Sequence, residues 1–435
     1  MLNAVSFLGL LAFAALAWAA GGCRRPVPWR TVIGSGLLML GLGIIVFLVA
    51  PTRRLLVSVN DLVVIFLGAS RAGAEFLFGP LALNPGERTA TGEASIGFIL
   101  ATQVLPAIIF FAALMAAFYH LGIIQPLIRL CARLFRRTLR LSGAEALAGA
   151  SSIFVGVESA TTVRPYLDRM TRSELLTLLT CAMSTVASTT MALYVFFLDR
   201  SFPQIAGHLI SASILSIPAA VLVSKLMLPE TGAPATLGTL PPPGEGERHG
   251  NTMAALAAGS WDGLKLAAGI ATLLIAVLSV VGVIDVVLGK VAAVLGGAAG
   301  AGGPAISLQT ILGWLFTPLA WLLGIDGADL RETGILLGRR IIMTEVVAYR
   351  ELGALAEAGA LAPRTVLVVS YALCGFAHLA SMGIFVGGIA ALAPARRNDL
   401  AALGLRALLG STLATLMTGA LAGLLYHGQQ GLIGG

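Results

Sequence analysis

Apolar residues run along this chain in long stretches rather than in alternation. Predominantly apolar segments occupy Asn3–Ala20, Thr31–Ala50, Ile96–His120, Leu175–Leu198, Gly207–Leu228, Gly263–Leu288, Val366–Leu392 and Leu400–Tyr426. Each reaches the ~20 residues that a helix needs to cross a bilayer. Ser307–Gly324 is also apolar but carries Pro318, which weakens it as a crossing helix. Two regions fit neither class. Gly143–Thr171, containing SSIFVGVESATTVRPYL, and Asp329–Gly359, containing GILLGRRIIMTEVVAYRELG, are too polar to span and too apolar to be loops. In each, a short helical run reaches a glutamate, Glu158 or Glu345, and a second short run follows. Runs of about half a membrane thickness at ~1.5 Å per residue are the pattern of a re-entrant hairpin.

The order of these pieces repeats. Hairpin, helix, helix occurs once at 143–228 and again at 329–435. Two interrupted segments in corresponding halves are the pattern of an inverted repeat, with the broken backbone lining a cavity. The expected fold is an all-α polytopic membrane protein with about eight transmembrane helices and two re-entrant helical hairpins. Its expected parts are scaffold helices at 1–142, the first hairpin and two helices at 143–228, and a cytoplasmic linker at 229–260. A central scaffold helix with an apolar segment follows at 261–328, then the second hairpin and two helices at 329–435.

Composition agrees with a bilayer as solvent. The chain is 57% hydrophobic and 11% charged, against about 25% charged in soluble domains. Its 52 glycines suit helices that pack closely or break. The net charge of +7 has no separate basic domain behind it, so nucleic acid is not an expected partner. The basic residues instead sort by loop. Arg24, Arg25 and Arg30 follow the first apolar run and no basic residue precedes it, which favours a first membrane helix over a signal peptide. With the N-terminus outside, Arg129, Arg133, Arg136, Arg137 and Arg140 fall inside, as do Arg164, Arg169, Arg172, Lys225, Arg248, Arg396 and Arg397. The connecting segment 51–95 falls outside, as does the C-terminus, and Pro229–Gly250 reads as a flexible cytoplasmic linker.

Candidate chemistry is sparse. The four cysteines show no CxxC spacing and the five histidines no paired-ligand spacing, so no disulfide or metal set is expected. Glu158 and Glu345 stand out, because a carboxylate at membrane depth is costly unless paired or hydrated. At a hairpin tip it meets the free N–H groups of a half-helix. There it binds a hydroxyl-rich or amide-rich solute or a cation; the alternative is a structural pair with Arg339 or Arg340. Ser184, Thr185, Ser188, Thr189 and Thr190 crowd one helix and suit helix packing or ion coordination. His378, placed mid-span, suits either a proton relay or neutral packing.

Several motifs in order carry a resemblance. They are IFVG-VE…RPYL at Ile153–Leu167, LGWLFTPLAWLLG, TEVVAY at Thr344–Tyr349, SYALCGFAHLAS at Ser370–Ser381, and the tail APARRNDLAALGLRALLGSTLATLMTGALAG. Together the residues resemble the concentrative nucleoside transporter family over nearly the whole chain, most strongly from Ser151 to Leu424. The resemblance implies a homotrimer that carries nucleosides together with Na⁺ or H⁺, through an elevator-like movement of the hairpin-bearing domain. It implies a solute site of Gly156, Val157, Glu158, Thr190, Glu345, His378 and Ser381. Glu158 matches the glutamate of a first-tip GQTE pattern that is one residue shorter here. Glu345, in TEVVA where the family has NEFVA, matches a glutamate that binds ribose hydroxyls. Ser381 matches a ribose-binding serine, and His378 replaces an asparagine. The ion site it implies is Ser152, Val155, Thr185 and Val186, with Ser152 in place of an asparagine. Ser152 and Thr185 still offer the oxygens a hard cation needs.

Changes at Val157, Thr344 and His378 touch groups on which hydrogen-bond discrimination depends. The alternative reading is therefore the same scaffold moving another polar solute, proton-coupled through His378. A non-transporting accessory protein is the reading from a different class. No G-x-S-x-G, P-loop or metal cluster points to an enzyme. The expectation is a multi-pass protein of the cell (inner) membrane. It has no cofactor beyond a coupling Na⁺ or H⁺, and its partners are a nucleoside-like solute, the lipid bilayer and copies of itself.

Overall fold

A computed structural model of the chain describes residues 1–23, 25–84, 86–88, 92–240, 250–294 and 307–428, with the backbone alone at 157, 158, 293 and 294. Among the described residues the secondary structure is helical apart from one isolated bridge, Arg88 to Ala94. The N-terminal helices are α1 (Leu2–Ala20), α2 (Trp29–Leu48), α3 (Ala50–Phe78), a single turn α4 (Leu100–Gln103), α5 (Leu105–His120) and α6 (Ile124–Leu139). Next come α7 (Gly143–Ser152), a 3₁₀ helix Val157–Arg169, α8 (Arg172–Ser184), α9 (Ser188–Leu198) and α10 (Ile205–Met227). The second half holds α11 (Thr252–Val294), α12 (Leu308–Leu322), α13 (Leu330–Ile342), α14 (Glu345–Glu357), α15 (Pro363–Leu373), α16 (Leu379–Leu392) and α17 (Arg397–Leu425).

Burial separates these helices into an inner and an outer set. The apolar windows of α10 and α17 are 89% buried and that of α8–α9 is 78% buried; those of α1, α2, α3 and α11 are 11–28% buried. Apolar helices left so uncovered need lipid or another protein against them. Eight helical stretches among the described residues are long and apolar enough to cross a membrane. They are not the eight apolar runs of the sequence. The segment 51–95, read as a connection, contains α3, which joins the set. Val366–Leu392 leaves it, because α15 ends at Leu373 and α16 starts at Leu379. Leu175–Leu198 is likewise broken, at Thr185–Ala187 between α8 and α9. Hydropathy could not show either break, because the residues on both sides remain apolar. Pro318 does not interrupt α12, although its 15 residues fall short of a span.

The two breaks meet. Gly375, at φ +152°, packs so closely that a Cβ there would lie 2.9 Å from the Ser184 carbonyl and 2.8 Å from Thr415 Cγ2. Each break leaves carbonyls at one half-helix end and N–H groups at the next without intrahelical partners. Flanking helices satisfy some of these: Val186 N–H donates to Ser213 Oγ of α10 at 3.4 Å.

Two helix pairs pack against the breaks. The first is α7, buried at all ten residues, followed by the bend 153–156 and the 3₁₀ helix with Pro165 inside it. The second is α13 and α14, joined through Met343 and Thr344. With 10 to 13 residues in each α-helical leg, none covers the ~30 Å of a bilayer core.

The entry to the first pair is clamped by buried charge. Ser142 with Glu145, and Thr171 with Glu174, form capping boxes on α7 and α8. Lys225 of α10 donates to Glu145 Oε1 at 2.5 Å and to Ser173 Oγ at 3.0 Å, while Ser142 Oγ donates to Glu174 Oε1 at 2.5 Å. The linker takes part, contrary to its reading as a flexible loop. Thr236 accepts from Gly143 N–H through its carbonyl and from Ala144 N–H through its hydroxyl, both at 3.0 Å. It is held because the first N–H groups of a buried α7 require acceptors. Residues 241–249 of that linker lie outside the described residues.

Two substitutions test this packing. Lys225→Met strands Glu145 without its cation and should cost about 3–5 kcal/mol; adding Glu145→Gln should restore most of the loss in a detergent melt. Gly375→Ala should lower the melting temperature sharply, because the new methyl meets the Ser184 backbone and the φ disfavours it, at about 2 kcal/mol or more. A melt like the wild type's would contradict the contact between the breaks.

Candidate functional site

Glu345 is the first residue of α14, directly after Thr344, whose φ of +124° is rare for a β-branched residue. The carboxylate is buried and in contact with two donors. Tyr194 OH of α9 donates to Oε1 at 2.8 Å. His378 Nε2 lies 2.8 Å from Oε2, with both side chains 4% exposed. The histidine is the N-cap of α16, and its Nδ1 accepts from Ser381 N–H at 3.2 Å. With Nδ1 accepting, the ring proton sits on Nε2, the nitrogen next to the carboxylate, although the pair is a close contact rather than an aligned hydrogen bond. Tyr194 is fixed by stacking on Tyr349, with centroids 4.4 Å apart and 16° between planes, and Tyr349 OH donates to Ser370 O at 2.6 Å. A helix of the first repeat, the second helix pair and the second broken helix therefore converge on one carboxylate.

This settles what Glu345 is paired with. It touches neither Arg339 nor Arg340. Arg339 pairs with Glu351 and bonds Gln309, while Arg340 bonds Ala372 O and Thr415 Oγ1. Tyr194 gives Oε1 its hydrogen bond, while Oε2 has none among the described residues and only the close contact with His378 Nε2, so both oxygens keep lone pairs for a further donor. Beside it, Thr344 Oγ1 is buried and has no hydrogen-bond partner among the described residues. A buried hydroxyl without a partner is costly unless a ligand or water meets it.

The other expected solute residues fall in different places. Ser381 completes the capping box with His378 and also bonds Phe376 O and His378 O. Its hydroxyl is engaged in holding the break. His378 lies at the start of a helix, not mid-span as the apolar run implied. Thr190 sits one turn before Tyr194 on α9, on the same face, with its hydroxyl bonded to Ala187 O at 3.1 Å. Gly156 is buried as the N-cap of the 3₁₀ helix. The side chains of Val157 and Glu158 lie outside the described residues. Nothing in the sequence marks Tyr194 and Tyr349, because an aromatic inside an apolar run gives no signal of its partner.

The expected ion residues cluster where the first helix pair meets the first break. Ser188 N–H donates to Phe154 O at 3.2 Å, which ties the bend to the start of α9. Ser152 Oγ donates to Ala148 O at 2.9 Å and Thr185 Oγ1 lies 3.2 Å from Cys181 O; both are fully buried, as is Val186, whereas Val155 is half-buried. Each hydroxyl gives its proton to its own helix and keeps its lone pairs. The described residues hold no cluster of three His, Cys, Asp or Glu side chains, so this junction offers neutral oxygens.

Comparison with known proteins agrees with this architecture. Residues 8–81 and 208–423 match the family models for the N-terminus and C-terminus of Na⁺ dependent nucleoside transporters, and residues 101–201 match a nucleoside recognition gate model. An uncharacterized transporter of Haemophilus influenzae is 34% identical over 424 residues, covering 96% of this chain and 97% of that one. The sodium/nucleoside cotransporter 1 of Rattus norvegicus is 33% identical over 97% of this chain, which spans 64% of the rat protein. The structure of CNTnw in an inward-facing substrate-bound state superposes with a TM-score of 0.86 at 33% identity, covering 98% of both chains. Nearly full-length similarity in sequence and in fold places this chain in the concentrative, Na⁺-dependent nucleoside transporter family.

Proposed function

We propose that this protein is a secondary transporter that carries a nucleoside across the cell (inner) membrane together with Na⁺, with Glu345 as its principal solute-binding group. One observation carries the reading. Glu345 is a buried carboxylate held by donors from both repeats at the tip of an interrupted segment, the position where transporters place solute. A ribose hydroxyl is the donor that suits its free lone pairs, the unpartnered hydroxyl of the adjoining Thr344 offers a further oxygen, and Thr190 and Ser381 complete the solute residues. Gly156, Val157 and Glu158 serve the base from the first tip.

The two helix pairs act as re-entrant hairpins from opposite faces, and they move with the broken helices as one elevator-like body. The sparsely buried helices α1–α3 and α11 form the scaffold and the contacts of a homotrimer. The ion binds at Ser152, Val155, Thr185 and Val186, where hydroxyl and carbonyl oxygens suit a hard monovalent cation. Proton coupling through His378 is the second reading. Both ring nitrogens are committed, one accepting from Ser381 N–H and one facing Glu345. A relayed proton would break the cap of α16, which favours Na⁺.

Glu345→Gln should reduce uridine uptake by cells about 100-fold, the cost of losing a charged hydrogen bond, with the protein still present in the membrane. Normal uptake by that variant would refute the site. In proteoliposomes an imposed Na⁺ gradient should drive uridine accumulation and a pH gradient alone should not. Thr185→Val should raise the half-activating Na⁺ concentration by about tenfold; an unchanged value would remove Thr185 from the ion site.

A further inference from the structure

The second repeat holds a buried cation that the transport scheme above does not use. Arg340, near the end of α13, is 1% exposed. Its Nη1 donates to Ala372 O and, at 2.8 Å, to Thr415 Oγ1. Among the described residues its Nε has no hydrogen-bond partner and it forms no ion pair with a carboxylate. A guanidinium desolvated in this way is costly unless something of opposite sign lies against it. Ala372 is the penultimate residue of α15. Its carbonyl belongs to the helix end that lacks intrahelical donors and carries the negative end of the dipole. The charge of Arg340 therefore sits against the negative end of a broken helix.

The first repeat builds the same junction without that side chain. There α8 stops at Ser184, and the bend after α7 is tied to the break by Ser188 N–H on Phe154 O. Ser213 of the flanking α10 bonds the break at Val186, as Thr415 of the flanking α17 bonds Arg340 in the second repeat. A hairpin end, a broken helix and a hydroxyl of the flanking helix meet in both. The first junction is lined by neutral oxygens, and the second is filled by a guanidinium.

We infer that Arg340 is a tethered cation, taking in the second repeat the place that the coupling ion takes in the first. This rests on the Na⁺ site proposed at Ser152, Val155, Thr185 and Val186. Arg340 is then a positioning residue. It docks the second tip on α15 and α17, and it keeps Glu345, five residues on, in register with no ion bound there. The cycle accordingly needs one cation per solute rather than two.

The test is the Na⁺ activation curve of uridine uptake in proteoliposomes at clamped membrane potential, for the wild type, Arg340→Lys and Arg340→Gln. Wild type and Lys variant should follow a one-site curve, the Lys variant retaining uptake within about threefold because its charge persists. The Gln variant should lose about tenfold at the wild type's half-activating Na⁺, then recover at high Na⁺ along a steeper curve as a second ion enters the vacated junction. A Gln variant with the wild-type curve overturns the inference, as does a Lys variant no better than Gln. If the Gln variant reconstitutes poorly, its melting in detergent serves instead. Stabilisation by Na⁺ greater than the wild type's supports the inference, and equal stabilisation overturns it. Wild-type uptake that ignores Na⁺ refutes the ion assignment alone, and the same three proteins are then compared across proton concentration.

Discussion

Backbone broken at the middle of a membrane-length helix has to find its partners inside the protein. That constraint organises the whole structure. Ending α8 at Ser184 and α15 at Leu373 leaves two sets of carbonyls and two sets of N–H groups in a region without water. Neighbouring groups answer them: Ser213 at Val186, Phe154 O at Ser188, His378 and Ser381 at the start of α16, and Arg340 at the end of α15. The heavy burial of α10 and α17 follows, since they cover these breaks. So does the close approach at Gly375, where two breaks can touch only because no Cβ stands between them.

The same constraint makes a site. A broken helix offers directed polar groups at fixed positions, and a helix pair too short to cross brings a tip to meet them. In the second repeat that tip carries Glu345, and the donors that hold it come from α9 and α16. The unusual backbone at Thr344 marks where the chain turns to place it; residues in such conformations persist where the surroundings fix them. In the first repeat the bend after α7 is tied to the break, beside the neutral oxygens of Ser152 and Thr185.

Much of this was legible from the order of apolar and polar residues. The interrupted segments, their glutamates and the twofold recurrence all appear as departures from a spanning pattern, and the structure holds helix pairs at both. The breaks at Thr185 and Gly375 were not legible as breaks. Their polar residues, Ser184 to Thr190 and Cys374 to Ser381, were visible only as unusual content in runs that stay apolar on average. The partners of Glu345 were also hidden. Arg339 and Arg340 are its neighbours in sequence, but helical geometry sends both elsewhere, while Tyr194 reaches it from 151 residues away. The linker misled for a related reason: Thr236 is ordinary in a loop until the buried end of α7 needs its oxygens.

The central claim is that Glu345, steadied by Tyr194 and His378, is where the solute is held. The most direct measurement is an experimental structure of the protein with uridine bound. The account predicts a ribose hydroxyl within about 3 Å of a Glu345 carboxylate oxygen. A nucleoside seated away from Glu345, with the contacts to Tyr194 and His378 unchanged, would contradict it.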